Sequence, residues 1–410
     1  MTNKIARAKL LLKVVLSTNG PLHLIKSAEY LSKLVDLRVI QGWIPNKRSR
    51  VLLSIVSKIV GRNLEKSLQK RTPTALEGKN YAVSVPEFIY WFGRYFLKMD
   101  LSTEAGRLFG FLSKKYINDV DVLHVRSGSG FSAIKKARNK GVKIIVDHSI
   151  AHPGYMDRQL REEFEKQGLK FGLGMDSTFW RAVIEDCKYA DILLVNSQFV
   201  RKTFVEFGYD EKKIAVVTQG VRDDFFSLKK DYSKEKKIKI LFTGSFGFRK
   251  GGEYILSAMK KLDAIGFSYE MFIVGSYAGS EELIRKYKSN NVRFVGHVVQ
   301  DELKEFLKKA DIYLFPSLSE GCASSAMEAM AAGLPVVVTE ETGLPVENDI
   351  DGIIIPSKST DEIVRAVIRL SEDSAKRKYL GINAAQKIQK DFTWERYAEQ
   401  VVEVYKSVLK

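Results

Sequence analysis

The chain has 410 residues, 45% hydrophobic and 28% charged, with 29 glycines and 9 prolines. That composition excludes a disordered, collagen-like or low-complexity protein, and at ~150 residues per domain the length suits two or three domains. Lys and Arg outnumber Asp and Glu by 66 to 49. The excess is concentrated in residues 1–100, with 18 basic against 6 acidic side chains, whereas residues 301–410 carry 14 against 19. A basic front half implies an anionic partner: nucleic acid, acidic lipid headgroups or a phosphorylated ligand. Cys187 and Cys322 lie far apart without metal-ligand spacing. This fits a reducing compartment and excludes a disulfide scaffold or zinc ribbon.

The opening MTNKIARAKLLLKVVLSTNG places basic residues before an apolar run, as a signal peptide would. Lys13 interrupts the run and no small-x-small cleavage site follows, so residues 10–17 are predicted to be a first buried strand. No stretch of 18 apolar residues occurs, and the chain is expected in the cytoplasm. A helix is expected over 22–34. Residues 48–71 then set Leu52, Ile55, Val56, Ile59 and Val60 on one helical face and basic residues on the other, followed by the aromatic-dense PEFIYWFGRYFLKM at 86–99. Such a pairing suits the anionic inner face of the cytoplasmic membrane. It equally suits a helix packed on a sheet with a solvated basic face.

From residue 121 onward, apolar strands alternate with helical segments. Strands are predicted at 121–127, 143–149, 191–197 and 213–220. After the polar DYSKEKKIKI the rhythm restarts with KILFTGS, YEMFIVGS, VRFVGHV, DIYLFPS, LPVVVTE and DGIIIPS. Continuous apolar strands in repeated β-α-β order imply parallel sheets covered on both faces. The expected fold class is therefore α/β, with a Rossmann-like, doubly wound parallel-sheet domain at 1–220, a linker at 221–237 and a second such domain at 238–390. A final helix at 391–410 has apolar residues at helical spacing.

Two segments carry chemistry. In DIYLFPSLSEGCASSAMEAMAAGLP (311–335) a strand ends at Pro316, a loop carries Glu320 and Gly321, and a helix starts near Ala323, placing unpaired amides where an anion can bind. Glu328 follows Glu320 by eight residues, so loop and helix can grip two parts of one ligand. The alternative is a capping Glu and an exposed mid-helix Glu. In ILFTGSFGFRKGGEYILSAMKKL (240–262) a glycine-rich loop presents Arg249 and Lys250 just before a helix. Cations there oppose the helix dipole and suit an anion such as a diphosphate, the alternative being a basic exposed turn in a basic protein. The loop matches neither GxxxxGK[ST] nor GxGxxG. DVD (119–121) and DID (349–351) are read as turns rather than metal sites.

Together these segments resemble glycosyltransferase family 4, retaining nucleotide-sugar enzymes of the GT-B fold. The family's E-x7-E element matches at Glu320 and Glu328 and its diphosphate loop at GSFGFRKGG, with further likeness in 190–221, 296–317, 342–356 and the closing FTWERYAEQ. The resemblance implies two domains closing on a cleft, with the last helix returning to the first domain. It implies that Arg249 and Lys250 neutralise the leaving diphosphate and that Gly244 and Ser245 belong to the donor-binding loop. Glu328 would hold the ribose, Glu320 would orient the donor sugar as a catalytic residue, and Gly321, Cys322 and Ala323 would offer backbone amides. His297 and Val298 would lie beside the base. Ser245 stands where many members have Arg, and Cys322–Ala323 where Phe-Gly is usual. On the acceptor side Gly20 matches the family's N-terminal glycine loop, and Arg126, before the SGSG turn, can face an anionic acceptor. His148 and His152 follow a strand end and suit the reacting centre, the alternative being a histidine that caps a helix or fills a loop. No metal or cofactor is expected, the nucleotide-diphosphate sugar being substrate. The expected acceptor is a lipid-linked or cell-surface glycan. A small soluble acceptor of sugar-phosphate or inositol type is the alternative. Nucleic acid is disfavoured as a partner because the basic residues form no recognition motif.

Overall fold

The computed structural model describes residues 11–20, 22–45, 71–168, 174–175, 177–233 and 237–410. The basic helical pattern over 48–70 lies outside these described residues. The first sheet contains β1 (Lys13–Thr18), β2 (Asp36–Gln41), β3 (Asn80–Ala82), β4 (Val122–Arg126), β5 (Lys143–His148), β6 (Ile192–Val195) and β7 (Ile214–Val216). Between them run α1 (Leu22–Leu31), α2 (Val85–Phe92), α3 (Ser102–Ser113), α4 (Phe131–Asn139), α5 (Pro153–Lys166), α6 (Thr178–Lys188) and α7 (Gln198–Glu206). The spatial order is β3-β2-β1-β4-β5-β6-β7, with β1 in parallel register against both β2 and β4.

The second sheet contains β8 (Ile238–Thr243), β9 (Tyr269–Val274), β10 (Val292–Gly296), β11 (Ile312–Phe315), β12 (Val336–Val338) and β13 (Ile353–Ile354). Its order is β10-β9-β8-β11-β12-β13, again parallel. The helices that follow in the chain are α8 (Gly252–Ala264), α9 (Glu281–Lys286), α10 (Gln300–Lys309), α11 (Ser324–Ala332), α12 (Thr360–Glu372), α13 (Ser374–Asp391) and α14 (Trp394–Val408). Strands such as IYLF and VVV are buried along their whole length, which is why they read as unbroken apolar runs rather than alternating ones. In an open parallel sheet the connections leave opposite sides where the strand order reverses, opening a crevice at the strands' carboxyl ends. Those points fall between β1 and β4 in the first sheet and between β8 and β11 in the second.

By packing, the chain divides into two compact units. One is Met1–His148 with Asp176–Leu194 and Ala398–Lys410; the other is Ser149–Met175 with Val195–Tyr397. Of the stretch read as a linker, 221–237, the described residues 221–233 and 237 fall within the second unit. Phe225, Lys229 and Tyr232 are buried there. The Lys229 ammonium donates to the Ala310 carbonyl (2.6 Å), the Tyr232 hydroxyl to the Gly333 carbonyl (2.7 Å), and the fully buried Arg377 to the Tyr232 carbonyl (2.7 Å). Phe225 packs into the hydrophobic core, whereas Lys229 and Tyr232 are anchored through polar groups and carbonyls, of which hydrophobic periodicity carries no sign.

In the first unit, His124 in the middle of β4 is fully buried, and its Nδ1 lies 2.7 Å from the Tyr405 hydroxyl of α14. Burial pushes the imidazole down to about 4, with Asp147 pulling it upward. A base depressed in the folded state costs stability as pH falls below its unfolded value, because the unfolded chain takes the proton first. Between about pH 7 and about pH 5 the protein should therefore lose about 2 kcal/mol more in denaturant titrations than a His124→Gln variant.

Candidate functional site

The reversal between β8 and β11 gathers two loops of the second unit. Gly251 ends the turn Phe248–Lys250 with φ +73°, and a Cβ on it would collide with the Pro316 carbonyl oxygen. Glycine there lets the loop after β8 lie directly on the loop after β11. The two are then zipped together: the Leu318 amide and the Ser317 hydroxyl both donate to the Arg249 carbonyl (2.9 Å each), and the Arg249 guanidinium donates to the Ser319 carbonyl (2.9 Å).

This zipper brings three charges together. One carboxylate oxygen of Glu320 forms ion pairs with Arg249 Nη1 at 2.6 Å and with Lys250 Nζ at 2.9 Å. Lys250 and Glu320 are mostly buried, and the Lys250 ammonium also lies 4.6 Å from the Phe315 ring centroid. Burial pushes the Lys250 ammonium below its ordinary value, Glu320 pulls it back up and Arg249 pushes it down. Two cations against one carboxylate leave net positive charge in a poorly solvated place, where its attraction for an anion is strongest.

Beside this cluster, α11 buries every residue except Ser324, Ser325 and Glu328. Those three form one stripe at i, i+1 and i+4, so Glu328 stands on the open face of the helix. The Gln219 amide donates to the Ser324 hydroxyl. Ser325 donates to the Thr243 carbonyl (3.0 Å) and accepts from Tyr313 (3.1 Å), tying α11 to the ends of β8 and β11. Gly244, with φ +129°, lies where an added Cβ would sit 3.6 Å from Lys250 Nζ.

Gly321 is hemmed in by main chain: a Cβ on it would collide with the Ser149 carbonyl oxygen. The Ala151 amide donates to the Glu320 carbonyl (3.1 Å) and the Ser197 hydroxyl to the Gly321 carbonyl. Cys322 and Ala323 are buried, and burial pushes the Cys322 thiol up to about 12. Ser245 is exposed at the loop's start. His297 is exposed just beyond the end of β10, and Val298 packs partly buried on the second core.

The first sheet's reversal, between β1 and β4, gathers a second set of charges. Arg126, at the end of β4, donates to Asp147 (2.6 Å), and His23 Nε2 of α1 lies 3.2 Å from the other Asp147 oxygen. Burial would raise the Asp147 carboxyl, but His23 and Arg126 hold it well below the usual range. The Arg126 charge is thus matched by a carboxylate of its own unit. Sequence reasoning missed Asp147 and His23; the signal was an acid at a strand's last turn, directly before His148. The SGSG turn is likewise filled from within: the amides of Gly128, Gly130 and Phe131 all donate to Asp186 (2.8–2.9 Å). His148 is buried with Nδ1 2.9 Å from the Ser127 hydroxyl. His152, in the second unit, is the N-cap of α5, accepting from the Gly154 amide (3.1 Å) and stacking on Phe207 (4.1 Å between centroids). Its ring therefore has structural work. Gly20 has open space around its Cα. Asp119 and Asp349 occupy left-handed turns and pair with Lys13 and with Arg369.

Residues 224–387 match the sequence family described as glycosyl transferases group 1, and residues 64–225 match Glycosyltransferase Family 4. An uncharacterized glycosyltransferase of Methanocaldococcus jannaschii, MJ1607, is 30% identical over 245 residues, covering 55% of this chain and 61% of that one. The amylovoran biosynthesis glycosyltransferase AmsK of Erwinia amylovora is 28% identical over 227 residues, covering 52% and 56%. The match thus spans about three fifths of the length of these two relatives. The crystal structure of Anabaena Alr3699/HepE in complex with UDP and glucose superposes with a TM-score of 0.64 at 15% identity, over 97% of this chain and 100% of that one. The likeness shows that the fold is shared.

Gly321→Ala should lower stability by roughly 1–3 kcal/mol, because the new methyl group must displace main chain on its neighbour. Gly20→Ala, with open space around it, should change stability by less than about 0.5 kcal/mol. Thermal denaturation of the two variants checks the contrast.

Proposed function

The chain belongs to glycosyltransferase family 4, with the GT-B fold of two parallel-sheet α/β domains, and on that premise we propose that it moves a sugar from a nucleotide-diphosphate donor to a lipid-linked or cell-surface glycan. The observation that carries the donor half is the convergence of Arg249, Lys250 and Glu320 at the second sheet's reversal, next to the open stripe of α11. A diphosphate leaving group gains charge as its bond to the sugar lengthens. Fixed cations at that point stabilise the transition state more than the ground state. In this reading Arg249 and Lys250 take up the diphosphate without a divalent metal or cofactor, Glu328 holds the ribose hydroxyls, and Glu320 orients the sugar.

The transfer proceeds with retention. The acceptor hydroxyl bonds to the anomeric carbon on the face that the phosphate oxygen leaves, and its proton passes to that phosphate oxygen. No separate protein base is then required. His148, at the end of β5, is the first unit's candidate for holding an acceptor hydroxyl. Two comparisons support the reading: the Anabaena protein binds UDP and glucose, and AmsK is named for amylovoran biosynthesis.

Calorimetric titration with UDP, GDP and ADP tests the donor half. One nucleotide should bind, and Lys250→Ala and Glu328→Ala should each weaken it about 10- to 100-fold, the worth of one charge-assisted hydrogen bond. Binding unchanged in both variants would overturn the assignment of the site.

A further inference from the structure

The segment Val85–Met99 turns most of its large apolar side chains outward. Trp91, Phe92, Tyr95, Phe96, Leu97 and Met99 are all exposed, Tyr95 to 66% and Phe96 to 77%. A packed domain rarely leaves so many aromatics together in water unless something covers them. Their exposure is fixed by the fold. The inner face of α2 is pinned by Glu87, buried and bound by both Arg71 Nη2 (2.6 Å) and Arg71 Nη1 (2.8 Å) and by the Trp43 amide (2.6 Å). Gly93 is buried against Leu101, with no room for a Cβ. On the outer face Trp91 stacks on Tyr95 (5.3 Å) and Phe92 on Phe96 (5.2 Å), so the rings stand in rows. Past Phe92 the chain opens into a π-helical turn, Gly93–Leu97, closed by Lys98 in the left-handed conformation. Such wide turns interrupt α-helices chiefly at functional positions.

The charges around the rings choose among occupants. Within 85–99 the one acid, Glu87, is buried in its ion pair, whereas Arg94 and Lys98 are exposed among the aromatics. On the neighbouring α3, Phe111 and Arg107 are exposed, with Lys115 just beyond; Asp100 and Glu104 are the nearby acids. A chain of net charge +17 repels a second copy of itself. Rings flanked by Arg and Lys fit the headgroup region of an anionic bilayer, where aromatics insert at the interface and cations meet lipid phosphates. Among the described residues no helix is long and apolar enough to cross a membrane, so this contact would be a surface one.

We infer that the outer face of Val85–Met99 is a docking surface for an anionic lipid bilayer, with the aromatic rings seated at the interface and Arg94 and Lys98 on the headgroups. The inference deepens the proposed function, because it says where the acceptor is met; it rests on the transferase reading for that consequence alone. The test is sedimentation of the full chain with phosphatidylglycerol–phosphatidylethanolamine vesicles and with phosphatidylcholine vesicles. The wild type should pellet with the anionic vesicles in preference to the neutral ones. A Phe92→Ser/Phe96→Ser/Leu97→Ser variant, altered at exposed positions alone, should partition about tenfold less or weaker still. Arg94→Gln/Lys98→Gln should narrow the preference for anionic lipid. UDP titrations of the same variants should match wild type, which separates the two claims: loss of nucleotide binding in the wild type would sink the transferase reading and leave the surface standing. Equal partitioning of the serine variant and wild type, no pelleting of the wild type, or self-association that the serine variant abolishes would each overturn the docking surface.

Discussion

The second unit is organised around one shared carboxylate. Glu320 can meet both Arg249 and Lys250 because Gly251 removes the Cβ that would hold the two loops apart. Each element of that unit then contributes to the arrangement. β8 and β11 sit on either side of the reversal, α8 and α11 start from the two loops, and Ser325 ties α11 to the end of β8. The mostly buried Lys250 ammonium cannot relax fully into water, so the cluster keeps a positive field at the second sheet's reversal. A carboxylate that already occupies both cations has a further consequence for the proposed chemistry. In the proposed reaction an arriving diphosphate would compete with Glu320 for Arg249 and Lys250, freeing an acid next to the sugar that the same diphosphate carries.

The first unit shows the opposite use of the same topology. Its strand reversal also gathers charge, but the charges satisfy each other. Arg126 and His23 converge on Asp147, and Asp186 fills the ring of amides that the SGSG turn would otherwise offer to a phosphate. Two doubly wound sheets therefore carry different chemistry at equivalent positions. The second keeps an excess of cations, whereas the first balances its cation with a carboxylate. That difference suits a division in which the phosphate-bearing ligand belongs to the second unit.

Much of this was legible in the sequence where the signal was apolar or glycine-rich. The strands of the second sheet are unbroken hydrophobic runs because both faces are covered, and the segments holding Glu320, Glu328, Arg249 and Lys250 stood out through glycines and charges at a helix start. What sequence pattern could not carry is pairing across distance. Asp147 and His23 are 124 positions apart, and nothing local marks them as partners. Residues 229–232 read as a linker because Lys229 and Tyr232 are anchored through carbonyls rather than by hydrophobic period. His152 looked like a reactive histidine by position, yet it caps α5 inside an aromatic cluster, a role decided by the distant Phe204, Phe207 and Tyr209.

The positive cluster after β8 and β11 is proposed as the seat of a nucleoside diphosphate. A crystal structure of the protein with UDP bound tests it most directly. The β-phosphate should lie within hydrogen-bonding distance of Lys250 and Arg249, the ribose hydroxyls on Glu328, and the Glu320 carboxylate should be released from at least one of its two cations. UDP bound elsewhere, with the Glu320 ion pairs intact, would contradict it.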